Sequence, residues 1–215
     1  MHDSARFVGK QFFDTYCSRL GRITVAEIGS QNVNGSLRDH KTENVIEYVG
    51  IDFASGNGVD VVLEKPYEYP FASETFDVVV TSSCFEHSEF FWLAFEECLR
   101  ILKPTGILYC NAPAQWPYHA YPVDCWRFFP DAGQALENWG KHKGIPVKLL
   151  ETFNYRFDNN HWELFDWTAV YAKNEAHANL HPNRILDVLG EDKNTKETIM
   201  SEDAKRLLHS KIFRS

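Results

Sequence analysis

The sequence predicts an α/β fold: a three-layer, doubly wound, mostly parallel seven-stranded sheet with an antiparallel final hairpin. Three observations carry this. Through residue 112, short apolar runs bounded by turn residues alternate with segments of helical spacing, the pattern of parallel strands covered on both faces. Two later strand-like runs, "VKLLETFNYRF" and "WELFDWTAVYAK", flank a polar "DNNH" turn, the pattern of a hairpin. A chain of 215 residues with 44% hydrophobic and 24% charged residues is one generous domain with a sizeable core.

Taken in order, Phe7, Val8, Phe12, Phe13 and Tyr16 recur at helical spacing, so the first twenty residues form an amphipathic helix. "TVAEIG" is the first strand and "SLRDHKTEN" the helix after it. "EYVGID", "VDVVL" and "FDVVVTSS" are the next three strands, and the helical "SEFFWLAFEECLRILKP" leads into the fifth, "GILYCNAP". "PDAGQALENWGKH" is a further helix before the hairpin. The domain spans 1–173 and includes an aromatic loop over 113–130; residues 174–215 turn polar and form a mobile or oligomer-forming tail with at most a short helix around "SEDAKRLLHSKIF".

A formal charge of −8 and the lack of any Lys/Arg cluster exclude a phosphate-backbone partner. The five cysteines are scattered, odd in number and without a C-x-x-C pair, which fits reduced thiols in a cytoplasmic chain. No segment approaches the ~20 apolar residues of a membrane span.

In an open parallel sheet, ligands bind at the carboxyl ends of the strands. The first such end is "VAEIGSQNVNGSL", where Glu27 stands two residues before Gly29. This is not G-x-G-x-x-G, and a carboxylate there repels a pyrophosphate and prefers a cationic or hydrogen-donating ligand.

Four segments in order, "EIGSQNVNG", "YVGID", "VVLEKPYEYPFASETFDVVVTSSCFEH" and "EECLRILKPTGILYCNAP", resemble the motifs of class I S-adenosylmethionine-dependent methyltransferases over roughly residues 22 to 130. The resemblance implies the Rossmann-like methyltransferase fold, S-adenosyl-L-methionine as cofactor, and methylation as activity. It places Glu27 toward the methionine ammonium, with Gly29 and Ser30 allowing close backbone approach. Asp52 takes the ribose hydroxyls, Phe53 lies against adenine, and Glu64, Pro66 and Tyr67 edge that ring. Ser82, Ser83 and His87 line the cofactor after the fourth strand. The sequence departs from the family at Ser30 to Asn34, which replace a Gly-x-Gly and bring Gln31 and Asn34 toward the cofactor's amino-acid end, and at Thr105, which replaces a Gly of K-P-G-G.

The methyl acceptor enters beside "NAPAQWPYHAYPVDCWRFFPDAG". Aromatic faces exclude water and sit well near a sulfonium, so Trp116, Tyr118 and Tyr121 are the substrate wall. His119 is the candidate catalytic base. Asp124 and Arg127 either orient a polar substrate or pair with each other to fix the loop. His161 and Trp162, at the hairpin turn, either reach the same mouth or face solvent. Cys125 is not needed as a nucleophile, because transfer from a sulfonium requires no covalent intermediate. His119, Asp124 and a further acid make no recognisable ligand set, so no metal is expected. The expected function is methyl transfer to an oxygen or nitrogen of a small polar acceptor, by analogy a sugar or glycan precursor. The alternative is a non-catalytic S-adenosylmethionine-binding accessory protein. The expected partner is that small molecule, with no nucleic acid and no membrane, and a second copy of the chain in a homodimer.

Overall fold

In the computed structural model, which describes residues 3–158, 163–189 and 195–196, the chain reverses its direction of travel across the sheet at β1 (Ile23–Ile28). From β1 it steps outward to β2 (Val45–Asp52) and the two-residue β3 (Val61–Val62), then returns to the other side of β1 for β4 (Phe76–Ser82) and β5 (Leu102–Gln115). These five strands are parallel. β6 (Lys148–Asp158) and β7 (Glu163–Ala172) form the antiparallel hairpin, with β7 beside β5. The order is β3-β2-β1-β4-β5-β7-β6, which is the expected seven-stranded mixed sheet. One edge gains an eighth strand, β8 (Thr195–Lys196), paired with β6. The reversal leaves a crevice at the carboxyl ends of β1 and β4, where no crossover can close the sheet edge.

Alternation along the central strands sorts their side chains onto two cores. Ala26, Ile28, Val79, Leu108 and Cys110 join the core under α2 (Phe91–Ile101) and α3 (Asp131–His142). Val25, Val78, Val80, Ile107 and Tyr109 join the core under α1 (Asp3–Phe12). Each helix contributes the stripe that its spacing predicts: Val8 and Phe12 from α1, and Phe95, Cys98 and Leu99 from α2, all fully buried. A π-turn over Phe13–Cys17 extends α1 and buries Phe13 and Tyr16, whereas Phe7 is 41% exposed and stacks on Tyr155 instead.

The predicted helix over 36–44 is a single 3-10 turn, Leu37–His40. Of that segment only Leu37 is buried as a hydrophobic anchor, too little to hold a helix against solvent. Ser36 caps the turn by accepting the Arg38 N–H at 3.1 Å. Past residue 173 the described part of the polar segment packs on the domain. The buried Glu151 carboxylate accepts the Tyr16 hydroxyl at 2.6 Å and the N–H groups of Ile185 and Leu186 at 2.8 and 3.1 Å, which caps α4 (Ile185–Leu189). His161, Trp162 and the segment of the expected final helix lie outside the described residues. Among the described residues no helix is long and apolar enough to cross a membrane.

Candidate active site

The loop after β1 turns sharply at Gly29, whose φ of +77° favours glycine and whose N–H donates to the Ile51 carbonyl at 2.9 Å. A β-carbon there would lie 2.5 Å from Cys84 Cβ, so the turn needs glycine for space as well as for conformation. The loop therefore crosses the end of β2, where Asp52 is 6% exposed. The main-chain N–H of Gln31 donates to Asp52 Oδ2 at 3.0 Å and that of Ala54 to Oδ1 at 3.3 Å, which holds the carboxylate in place from behind.

Glu27 is buried deeper. Its Oε2 accepts the Tyr48 hydroxyl at 2.8 Å and the Ser36 hydroxyl at 3.4 Å. Burial still pushes the carboxyl up to about 7, against the lowering effect of Tyr48, the Leu37 N–H, Arg38 and Ser36.

β4 ends at Ser82, which donates to Asn111 Oδ1 at 3.2 Å, followed by Ser83 at φ +51°. A non-glycine residue in the left-handed region stores strain and is common where a chain is bent around a ligand. A 3-10 turn, Phe85–His87, comes next. His87 Nδ1 donates to the Val123 carbonyl at 2.5 Å, and its ring stands edge-on to His119 with centroids 5.1 Å apart. Burial lowers the His87 pKa below the usual histidine value.

These elements enclose a cavity of about 460 Å³, a size typical of cofactor sites. Of the predicted cofactor residues, Glu27, Gly29, Ser30, Gln31, Asn34, Asp52 and Phe53 line it from the β1 and β2 side. Pro66, Tyr67, Ser82, Ser83 and His87 line it from the other. Glu64 does not: it is exposed, and Leu63 takes its place because the Leu63 N–H bonds the Asp52 carbonyl at 2.8 Å and turns that side chain inward.

From the aromatic loop, His119 and Tyr121 reach the cavity. Four other residues predicted to bind substrate do not line it. The Trp116 indole N–H donates to Asp166 Oδ1 at 3.1 Å, and Tyr118 is 78% exposed. Arg127 grips both oxygens of Asp124, at 2.5 and 2.8 Å, and donates to the Pro117 carbonyl at 3.0 Å. The pair is thus the staple of the loop. Hydrogen bonds from Arg127 hold the Asp124 carboxyl down at about 2. Asp124 also accepts the main-chain N–H of His119 at 2.7 Å, so the staple fixes the backbone from which the imidazole projects.

Sequence reasoning missed two residues. Tyr48 shares a strand face with Gly50 and Asp52, a signal that the two-residue period carries. Glu86, in the "CFEH" segment, is fully buried, and neither carboxylate oxygen has a hydrogen-bond partner among the described residues.

The fold and this cavity are those expected from the resemblance to class I S-adenosylmethionine-dependent methyltransferases. Residues 9–110, a little under half of the chain, match the family model described as a methyltransferase domain, and the chain is an S-adenosylmethionine-dependent methyltransferase with S-adenosylmethionine as its cofactor. The residues present fit this group: a carboxylate held at the end of β2, a glycine turn that admits close approach, and the buried hydroxyls of Ser30 and Ser83, which have no hydrogen-bond partner among the described residues. Among solved structures, the chain is similar to Burkholderia thailandensis 1,6-didemethyltoxoflavin-N1-methyltransferase with bound 1,6-didemethyltoxoflavin and S-adenosylhomocysteine, at 12% identity and TM-score 0.59, covering 80% of each chain. It is also similar to the YcgJ protein of Bacillus subtilis, at 12% identity and TM-score 0.56, covering 81% of this chain and 100% of that one. The cyclase SpnF, at 13% identity and TM-score 0.56, covers 79% of this chain and 81% of its own. At such identities the likeness is one of fold. No curated protein matches the sequence.

Proposed function

We propose that the protein methylates an oxygen or nitrogen of a small polar acceptor, with a sugar or glycan precursor as the favoured class. One observation carries this: the loop over 113–130 brings His119 and Tyr121 to the mouth of a cavity otherwise built from cofactor-type residues. When bound, the cofactor supplies an electrophilic methyl on a sulfonium. Asp52 would hold the ribose hydroxyls, Phe53, Pro66 and Tyr67 the adenine, and Glu27, Gln31 and Asn34 the amino-acid end. Ser82, Ser83 and His87 stand on the side nearest the acceptor loop.

His119 is the proton acceptor in this reading. Its Nδ1 lies 2.9 Å from the Pro117 carbonyl and 3.4 Å from Asp124 Oδ2, so Nδ1 is the donor nitrogen and Nε2 the basic one. Asp124 then stabilises the imidazolium that forms. The exposed ring of Tyr121 at the cavity mouth supports a sugar-like acceptor, whose apolar ring faces stack on aromatic side chains. Five free thiols support a reducing, cytoplasmic setting.

The test is to incubate the protein with S-adenosylmethionine and a panel of sugars, polyols and amines and to follow S-adenosylhomocysteine. Release with a hydroxylated acceptor is expected. Tight S-adenosylhomocysteine binding without turnover on any acceptor would instead indicate a non-catalytic accessory protein.

A further inference from the structure

At the acceptor side of the cavity, side chains from two distant segments converge. Glu86 and His87 follow β4, and His119 comes from the loop after β5. One ligand-type atom of each lies within 4.8 Å of the other two, and Glu86 Oε1 is 3.6 Å from His87 Nε2. The chain spacing gave no hint of this set, because it paired His119 with Asp124.

Two further features point to a cation. Glu86 is fully buried with both oxygens lacking a hydrogen-bond donor among the described residues, a costly state that a bound cation offsets. Both imidazoles are oriented through Nδ1, His87 by the Val123 carbonyl and His119 by the Pro117 carbonyl, which puts the lone pair on Nε2. Metal-binding histidines are held in this way, by a donor bond from the second ring nitrogen to a carbonyl or carboxylate.

We propose that Glu86, His87 and His119 form a binding site for a divalent transition-metal ion. Two imidazoles and one carboxylate suit Zn²⁺, Co²⁺ or Fe²⁺ and disfavour Mg²⁺ and Ca²⁺, which take oxygen ligands. Ligand atoms around an ion held at ~2.1 Å stand roughly 3–3.5 Å apart, so the set must close by about 1 Å on binding. His119 is the member able to move, because its side chain is 36% exposed on a loop. Three protein ligands leave room for an acceptor oxygen, whose proton a Lewis acid makes easier to lose. The Nε2 lone pair of His119 holds either the ion or a proton, so in the loaded protein the ion would acidify the acceptor and its proton would pass to bulk solvent rather than to the imidazole.

The experiment uses full-length protein without a polyhistidine tag, stripped with a chelator and titrated with Co²⁺ while visible absorption and binding heat are recorded. A one-to-one complex with a d–d band, displaced by Zn²⁺, is expected. Glu86→Gln and His119→Ala are each expected to weaken it at least tenfold. S-adenosylhomocysteine binding, measured on the same samples, reports folding and separates a failed metal site from a failed cofactor assignment. His119→Ala, at a surface loop, serves should Glu86→Gln not fold. No band in the wild-type protein, or a band unchanged in either folded variant, would overturn the proposal.

Discussion

The Tyr121 hydroxyl donates to Gln31 Oε1 across 3.1 Å and so joins the acceptor loop to the loop that follows β1. The contact spans the cavity mouth, and both residues line the cavity. A bound cofactor would leave past this bond. Tyr121→Phe removes one hydrogen bond of about 0.5–1.5 kcal/mol. It should raise the dissociation rate of S-adenosylhomocysteine about 2–10-fold in stopped-flow traces and leave association unchanged; an unaltered off-rate would mean the contact does not gate exit.

Glu27 titrates at about 7 in the folded chain against an ordinary 4.5. A raised folded value means that the stability it contributes is fully present below pH 4.5 and is lost as pH rises through 7. The melting temperature of Glu27→Gln relative to wild type should therefore climb between pH 5 and pH 8. Cofactor affinity should run the other way. Only the ionised carboxylate attracts the ammonium, and its population rises from roughly one-tenth at pH 6 to nine-tenths at pH 8, an increase in affinity of up to about tenfold. Calorimetry across that range should find the slope in the wild-type protein and a flatter one in Glu27→Gln.

Gly29→Ala would set a β-carbon 2.5 Å from Cys84 Cβ at a φ of +77°. The overlap and the strain should cost about 1–3 kcal/mol. Urea unfolding can measure this, with Gly21→Ala as the control, since among the described residues no heavy atom beyond its chain neighbours lies within 4 Å of a β-carbon built there. Equal midpoints for the two variants would show that the turn relaxes freely.

His119→Ala should lower turnover roughly 10²–10⁴-fold while changing S-adenosylhomocysteine affinity little. Steady-state kinetics with the acceptor found above, paired with calorimetry, separates the two quantities. Undiminished turnover would leave the imidazole as loop structure.

What was legible in the sequence follows from which forces are local. Strands buried on both faces announce themselves as apolar runs, so "VAEI" and "FDVVVTS" were read where β1 and β4 lie. The acids Glu27 and Asp52 stood out because a carboxylate at the end of a buried strand needs a partner. The turn after Ser36 did not, since polar residues in a capped 3-10 turn have the composition of a weak helix. β3 has only two residues, too few to fix which side chain faces inward, so the sequence pattern does not separate Glu64 from its neighbour Leu63. Asp124 and Arg127 need the same residue types whether they bind a substrate or each other; only the fold distinguishes the two. The burial of Glu86 depends on a distant loop folding over it, with the N–H groups of Cys125 and Trp126 on its carbonyl at 2.7 and 3.3 Å. No local pattern encodes that.

The account rests on Asp52 facing the adenosyl group in this cavity, and titration calorimetry of S-adenosylhomocysteine into the wild-type protein and Asp52→Ala tests it most directly. One-to-one binding to the wild type, weakened by about 1–3 kcal/mol in the variant, is the predicted result. No binding heat in the wild-type protein, or the same affinity in both, would contradict it.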